Sequence, residues 1–386
     1  MQSAFDVIVV GAGYVGSSVA YHLCLAGVKT ALFDRGAFAA AASRANYGNI
    51  QIQDMELEKS VEMIRLATRK FEKLEQELDW KVGLRRIGGL LPIENENQWR
   101  LMEERLKVVR SAGFQSELLP AERLKEVEPL IDTSGLLGGL YHDKEGQVDP
   151  FQFVWGHLRR ARQHGLKEFY GVEVTGFLEK SGRVEGIRTT KGDFNAKTVV
   201  LCTGARTRLL GKTLGRDWDV QYVLGQAMVS EPIEPALRCH TASASFFEHT
   251  GENTAKGAVI ANLAISQSPH GHLLLGEAMY EADHFRQDVP YASLPAVSKS
   301  VLRFFPSFRK LRILRGWSAP VAHTSDSCPL LGPVAGLDGL ILATAFRSTV
   351  IISPLVGETV MQLITRGNCD LNIEGFLPER NNKNAH

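Results

Sequence analysis

FDVIVVGAGYVG, residues Phe5 to Gly16, decides how the rest of the chain is read. Its first six residues are a short β-branched run flanked by glycine, the pattern of a parallel strand covered on both faces. Gly11, Gly13 and Gly16 then fall into the spacing GxGxxG. Ser17 to Ala26 predicts a helix, and Val28 to Phe33 predicts a second strand ending at Asp34, 18 positions after the last glycine. Each glycine has a physical task in such a βαβ unit: Gly11 makes the tight turn, Gly13 lets a pyrophosphate approach the backbone, and Gly16 lets helix and strand pack closely. The helix N-terminus faces the phosphates, and Asp34 can accept a hydrogen bond from a ribose hydroxyl. The alternative is a purely structural turn, but strand, helix, second strand and acid all fall in register for a dinucleotide. The motif does not choose between FAD and NAD.

Working outward, the chain has 386 residues, 44% of them hydrophobic and 23% charged, enough for one large core or two of medium size. Lys plus Arg (44) against Asp plus Glu (43) gives a net charge of +1, which leaves nucleic-acid or anionic-membrane binding without an electrostatic basis. Cys24, Cys202, Cys239, Cys328 and Cys369 are scattered without a CxxC pair. That argues against a zinc or iron–sulfur site and a disulfide framework, and for a reducing compartment. The start of the chain shows no signal peptide, and the apolar stretch Gly339 to Gly357 is broken by Arg347 and several hydroxyl residues, making it a poor membrane span. A soluble protein is expected.

Leu57, Val61, Ile64, Phe71, Leu74 and Leu78 recur at helical spacing and predict a long amphipathic helix from about Glu56 to Asp79. Glu96 to Ala112 and Phe151 to Gln163 predict two more helices. Strands are expected at Gly88 to Pro92, Gly135 to Tyr141, Val220 to Val229, Val259 to Ile265, His272 to Glu277 and Leu311 to Trp317, enough for a large mixed or antiparallel sheet in a second domain. Val199 to Leu201 is a short strand delivering Thr203 and Gly204 at its carboxyl end. Leu340 to Ala343 is a strand, Val350 to Leu363 a helix, and the loop Thr344 to Thr349 aims that helix at whatever is bound. The segment FAAAASRANYG, Phe38 to Gly48, suits a backbone lying along an extended cofactor, but its composition equally describes an ordinary loop. The tail Glu379 to His386 is polar and expected to fray.

With these segments in view, the chain resembles the FAD-dependent oxidoreductases of the D-amino-acid oxidase superfamily over almost its whole length. The likeness rests on the first βαβ unit, on SRANYG (Ser43 to Gly48), VVLCTGA (Val199 to Ala205), Gly225 with Gln226, SPHGHLLLG (Ser268 to Gly276), the run from Trp317 through TSDSCPLLG (Thr324 to Gly332), and Ala343 to Glu358. Each motif is loose; their order and spacing make the match. The resemblance implies an α/β plus α+β protein in which a Rossmann-like FAD-binding domain (1–85, 146–215 and 316–386) is interleaved with a substrate domain built on a large mixed or antiparallel sheet (86–145 and 216–315). It places Gly11, Gly13, Tyr14, Val15, Gly16, Asp34, Arg35, Ser43, Arg44, Asn46, Gly48, Asn49, Val174, Thr203, Gly204, Thr344, Arg347, Ser348, Thr349 and Val350 at the FAD. The helix opening near Val350 would meet the flavin pyrimidine edge, where a helix dipole stabilises the reduced state.

The implied chemistry is oxidation of an amine, imino acid or amino acid, with hydride passing from the carbon bearing nitrogen to flavin N5. No strong base is required. A substrate carboxylate calls for an arginine fork, and Arg347 is the candidate, its alternative being a surface salt bridge. Three departures from the family's pattern stand out: its carboxylate-binding arginine appears as Val321, its closing Gly-His as Thr344-Ala345, and its later glycine as Thr349. His323 lies near the lost arginine and is a candidate proton or hydrogen-bond partner, with a structural role as the alternative. No cysteine stands at or near Ala319, so FAD is expected to be noncovalent. His270 and His272 have spacing a metal could use, but no partner is placed for one, and no metal is expected.

The loop running from Ser43 to Ile50 is closer to flavin subunits of proline and opine dehydrogenases than to simple oxidases. A heteromeric dehydrogenase passing electrons to partner subunits is therefore expected, cytoplasmic or held at the inner membrane through a partner. The alternatives are a self-sufficient oxidase releasing peroxide, a non-catalytic FAD-binding subunit, and an NAD-dependent dehydrogenase if the resemblance is accidental.

Overall fold

The computed structural model of the chain describes residues 5–52, 57–248 and 259–381, except 283, 287 and 290. Glu56, expected to open the long helix, and the tail beyond residue 381 lie outside the described residues. Two eight-stranded sheets carry the architecture, joined by a small three-stranded one. The first opens with Phe5–Val10, flanked in parallel by Thr30–Asp34 and by the end of Gly192–Leu201, in a register that sets Val9 beside both Leu32 and Val200. Lys167–Tyr170 extends one side, and Leu340–Thr344 then antiparallel Leu330–Pro333 extend the other. Val7 to Val9 and Ala31 to Phe33 are at most 1% exposed, which is why this part of the sequence reads as continuous apolar runs.

Three helices cover one face. Tyr14–Leu25 packs between Thr349–Arg366 and Pro150–Gln163. The approach to Thr349–Arg366 depends on Gly357, where a Cβ would lie on the Ser18 hydroxyl and within 2.7 Å of the Ser18 backbone. Asp149 caps Pro150–Gln163 by accepting from the amides of Phe151 (2.8 Å) and Gln152 (2.9 Å), with proline at the first helical position, where its missing N–H costs nothing.

The second sheet runs, in spatial order, Ile313–His323, Gln221–Pro232, His272–Tyr280, Ile260–Gln267, His240–Ala242, Gly89–Ile93, Gly138–His142 and Ser116–Pro120. It is antiparallel except where His240–Ala242 meets Gly89–Ile93. One face packs Met228, Leu263, Leu275 and Leu273 against Val297 and Val301 of the helix Ser293–Phe304. The strands of the first sheet thus come from residues 5–34, 167–201 and 330–344, and those of the second from 89–142 and 221–323. The boundary read at residue 316 falls inside a strand of the second sheet, and the chain re-enters the first sheet at Leu330.

The helix expected over Glu56 to Asp79 is instead Leu57–Phe71 followed by Leu74–Leu78, ending at a left-handed Asp79 (φ 48°). The step lets Phe71 and Leu74 both be buried, at 0% and 1% exposure. Besides short strands such as Ser116–Pro120, Lys167–Tyr170 and Leu330–Pro333, two longer ones were not read from the sequence: Val174–Lys180 and Arg183–Thr189, a hairpin leading into Gly192–Leu201. Their charged, half-exposed alternation hides them, although Ser181 and Gly182 (φ 50° and 77°) supply the positive-φ pair of a tight hairpin. Among the described residues no helix is long and apolar enough to cross a membrane.

Candidate active site

A cavity of about 960 Å³ lies between the carboxyl ends of the first sheet and the open face of the second. At its first end the glycine turn is closed to side chains. Gly11 (φ 105°) would place a Cβ on the Cys202 carbonyl oxygen, and Gly16 would place one on the carbonyl oxygen of Gly11. Gly13, at the start of the Tyr14–Leu25 helix, has no side chain to cap it, and the positive end of the helix borders the cavity. The Ser43 hydroxyl accepts from the Tyr14 amide at 3.1 Å, folding the 43–49 segment over the turn. Asp34 accepts from the amides of Ala12 and Gly36, both at 2.8 Å, one through each oxygen. That holds the carboxylate in the cavity wall while leaving each oxygen lone-pair capacity for a diol. Exposed Arg35 lies 4.0 Å from Glu173, which also pairs with Arg206 at 2.7 Å.

The middle of the cavity is bounded by Thr203, Gly204 and the loop after Leu340–Thr344. Three hydroxyls tie these turns together. Thr203 and Thr207 are 2.8 Å apart, Thr207 donates to Thr344 at 3.1 Å, and Thr344 donates to the Gly204 carbonyl at 3.3 Å. The left-handed residues of the loop are Ala345 (φ 59°) and Ser348 (φ 45°). The glycine-like conformation therefore falls on Ala345, while Thr344 is the last residue of a regular strand. Thr349 and Val350 open the long helix toward the cavity, as the sequence predicts for this loop.

Arg347 and His323 come from opposite sheets and meet at the far end. The Arg347 guanidinium lies 5.7 Å from the Phe246 ring centroid. Burial, then the charge of Arg347, lowers the His323 pKa, so its imidazole is neutral at physiological pH. Val321 also lines this end. Of the other residues singled out in the sequence, Tyr14, Val15, Asn46, Asn49 and Val174 stand in the cavity wall. Gly16, Gly48 and Arg44 do not. Gly16 packs behind the turn, and Gly48 donates to Asn46 Oδ1 at 2.7 Å and faces the Val148 carbonyl. Arg44 points outward and is exposed.

The wall also holds residues that the sequence did not single out: Tyr47, Gln51, Glu145, His240, Asn262 and Glu277. Tyr47 has a buried hydroxyl without a hydrogen-bond partner, and burial, then Glu277, pushes its pKa well up. Gln226, flagged only as part of a motif, is 3% exposed with both amide ends unpartnered. Nothing in the spacing of these residues marks them, because they converge from six separate strands and loops. Among the described residues no group of three or more His, Cys, Asp or Glu is arranged to hold a metal.

A glycine turn that excludes side chains, a helix N-terminus bordering the cavity, a fixed carboxylate and a cavity continuing to a second helix N-terminus fit an extended dinucleotide with a ring system at its far end. The family model described as DAO, FAD dependent oxidoreductase, matches residues 6–363. Among curated proteins, the sarcosine oxidase subunit beta of Rhodobacter capsulatus is 25% identical over 347 residues, covering 87% of this chain and 79% of that protein. Human mitochondrial dimethylglycine dehydrogenase is 24% identical, covering 98% of this chain but 44% of its own length. Among solved structures, L-proline dehydrogenase from P. horikoshii superposes with a TM-score of 0.88 at 23% identity, covering 99% of both chains. Glycine oxidase from Geobacillus kaustophilus superposes with a TM-score of 0.87 at 22% identity, covering 98% of this chain and 99% of that one. The Gly11 turn and the loop after Leu340–Thr344 thus line one cavity, and this chain belongs to the DAO family of FAD-dependent oxidoreductases.

Proposed function

We propose that this chain oxidises an amine, imino acid or amino acid at the carbon bearing nitrogen, and that it does so as the flavin subunit of a heteromeric dehydrogenase. The observation that carries this reading is one cavity reaching from the Gly11 turn to Arg347 and His323 between the two sheets. FAD would be held noncovalently by Gly11, Gly13, Asp34, Ser43, Val174, Thr203, Gly204 and the residues from Thr344 to Val350, and it would supply the hydride acceptor. Arg347 offers a planar fork to a substrate carboxylate, and the Phe246 face beside it orients the guanidinium. A neutral His323 accepts a hydrogen bond from the substrate ammonium, or its proton, without placing a competing cation next to Arg347. Phe246, Trp317 and Val321 exclude water from the reacting carbon.

Relatives named as subunits of sarcosine oxidase support a partner chain. We place such an assembly in the cytoplasm, with contact to the inner membrane only through that partner. The test is anaerobic absorbance of the flavin-loaded protein mixed with sarcosine, glycine, proline, hydroxyproline, D-amino acids and opines, followed by an oxygen pulse. Bleaching by one of these, with slow reoxidation, is expected. Fast reoxidation with peroxide release would replace the dehydrogenase by an oxidase. A flavin that no amine bleaches, even with the partner supplied, would overturn the reading.

A further inference from the structure

Among the described residues the Arg347 guanidinium makes no hydrogen bond or ion pair with a protein group; it rests near the Phe246 ring, 5.7 Å from the centroid. An arginine steadied by an aromatic ring keeps its planar fork open to a ligand, and the direction of the fork follows the ring. Whatever fixes Phe246 therefore acts on Arg347.

Phe246 belongs to the single helical turn Ala244–Phe247, which two other elements hold in place. The first is the strand Ile260–Gln267 of the second sheet. Buried Ser243 caps the turn, accepting from the Ser245 amide at 3.2 Å. The Ser243 and Ser245 hydroxyls are 2.7 Å apart, and the Ser245 hydroxyl donates to Asn262 Oδ1 on that strand at 2.9 Å. With its own proton given to Asn262, Ser245 accepts from Ser243. The second element is the helix Glu96–Ser111. Its Arg105 guanidinium lies over the Phe247 ring, 4.0 Å from the centroid, and Phe247 meets Phe246 edge to face with centroids 5.3 Å apart at 84°. Glu248, the residue after the turn, accepts from Asn97 Nδ2 at 3.0 Å and from Gln98 Nε2 at 2.8 Å on the same helix. A ladder of cation, ring, ring and cation thus runs from Arg105 to Arg347. Phe246 and Arg347 stand in the cavity wall, while Ser245 and Arg105 do not.

We propose that Ser245 and Arg105 are positioning residues for Arg347: they seat the Ala244–Phe247 turn from two different elements, and through Phe246 they set the direction in which the guanidinium meets a carboxylate. This rests on the reading of Arg347 as a carboxylate fork. It adds that preference for a carboxylate is governed from outside the cavity, by two side chains that do not touch the ligand.

The test is an anaerobic binding titration of the flavin-loaded protein, read from the change in its absorbance, with L-proline, pyrrole-2-carboxylate and benzoate, each beside its own carboxamide. Acid and amide share a shape, so the ratio of their dissociation constants reports the fork alone. In the unaltered protein at least one acid is expected to bind about tenfold more tightly than its amide, and Arg347→Ala should bring that ratio close to one. Phe246→Leu should lower the ratio about fivefold, and Phe246→Tyr, which keeps the aromatic face, should retain it. Ser245→Ala and Arg105→Gln should each lower it about threefold, and neither should add to Phe246→Leu in a double variant. A merely structural role would weaken acid and amide together and leave the ratio unmoved. A ratio unmoved in Ser245→Ala, in Arg105→Gln or in Phe246→Leu, while Arg347→Ala abolishes it, would overturn the positioning role and leave Arg347 as the fork. Acid and amide bound equally by the unaltered protein, or no binding by any of these ligands, would remove the fork and the positioning role together.

Discussion

The two ends of the cavity are built by different means. The nucleotide end is made of backbone: Gly11 and Gly16 leave no room for a Cβ, and Asp34 is fixed by two main-chain amides. The end proposed for the substrate is made of side chains that arrive from both sheets, among them Arg347, His323 and Val321. Backbone constraints tolerate almost no substitution and so bind any dinucleotide of the right length. Side-chain constraints can be exchanged one at a time, so specificity resides there. The contrast explains how one scaffold holds one cofactor and serves many substrates.

The sharpest way to break the comparison is Gly16→Val. The added side chain meets the Gly11 carbonyl oxygen and has nowhere to go, so a loss of about 4 kcal/mol or more is expected, read as loss of folded, flavin-containing protein on thermal melting. Added bulk at the other end of the cavity, in Val321→Phe, should leave the melting temperature nearly unchanged, because Val321 is 45% exposed.

Acid should be the next largest effect, and it touches both ends. His22 and His157, in the helices that back the nucleotide turn, are held by burial at pKa values of about 4 and about 3, and burial likewise holds His142 and His240 at about 4 in the other sheet. Above pH 6.5 folded and unfolded chains both keep these rings neutral. As pH falls below 6.5 the unfolded chain takes up protons that the folded core refuses, so stability declines from pH 6.5 to about 4, by about 3 kcal/mol for each histidine. Denaturant unfolding at a series of pH values should show this slope, and His157→Leu should flatten it. A stability independent of pH between 4 and 6.5 would mean that these rings are not buried as described.

At the substrate end, Arg347→Ala should raise the Michaelis constant for a carboxylated substrate about 10- to 100-fold, with Arg347→Lys recovering part of the loss. An unchanged constant would remove Arg347 from the site. The smallest expected effects lie where the two ends are stitched together. Thr344→Val removes the hydroxyl that joins Thr207 to the Gly204 carbonyl and should cost about 1 kcal/mol and weaken FAD a few-fold in equilibrium dialysis. Ser348→Gly relieves a left-handed residue and should raise stability by about 1 kcal/mol, seen as a higher melting temperature. If Ser348→Gly lowers it instead, the Ser348 side chain matters more than its backbone.

The same contrast decides what could be read from the sequence. Phe5 to Asp34 is legible because a buried parallel strand, a glycine turn and a second strand ending in an acid each leave a local signature, and the observed strands and helix agree within a few residues. Most strands of the second sheet are legible as apolar alternation. The hairpin Val174 to Thr189 is not, because charges on its exposed face mask the alternation, and the long helix breaks after Phe71 because packing favours burying both Phe71 and Leu74. Arg347 and His323 were found through a resemblance and turn out to share one end of the cavity. Tyr47, Glu145, His240 and Asn262 of the cavity wall have no local signature, since 215 positions separate the first from the last, and only the fold brings them together.

The most direct test of the account is the flavin content of the purified chain: absorbance of the native protein, then denaturation and separation of the polypeptide from whatever is released. The account predicts one FAD per chain, all of it recovered free of the polypeptide, because the site is built from backbone and hydrogen bonds. A colourless chain that takes up no FAD, or a flavin that stays with the denatured polypeptide, would contradict it.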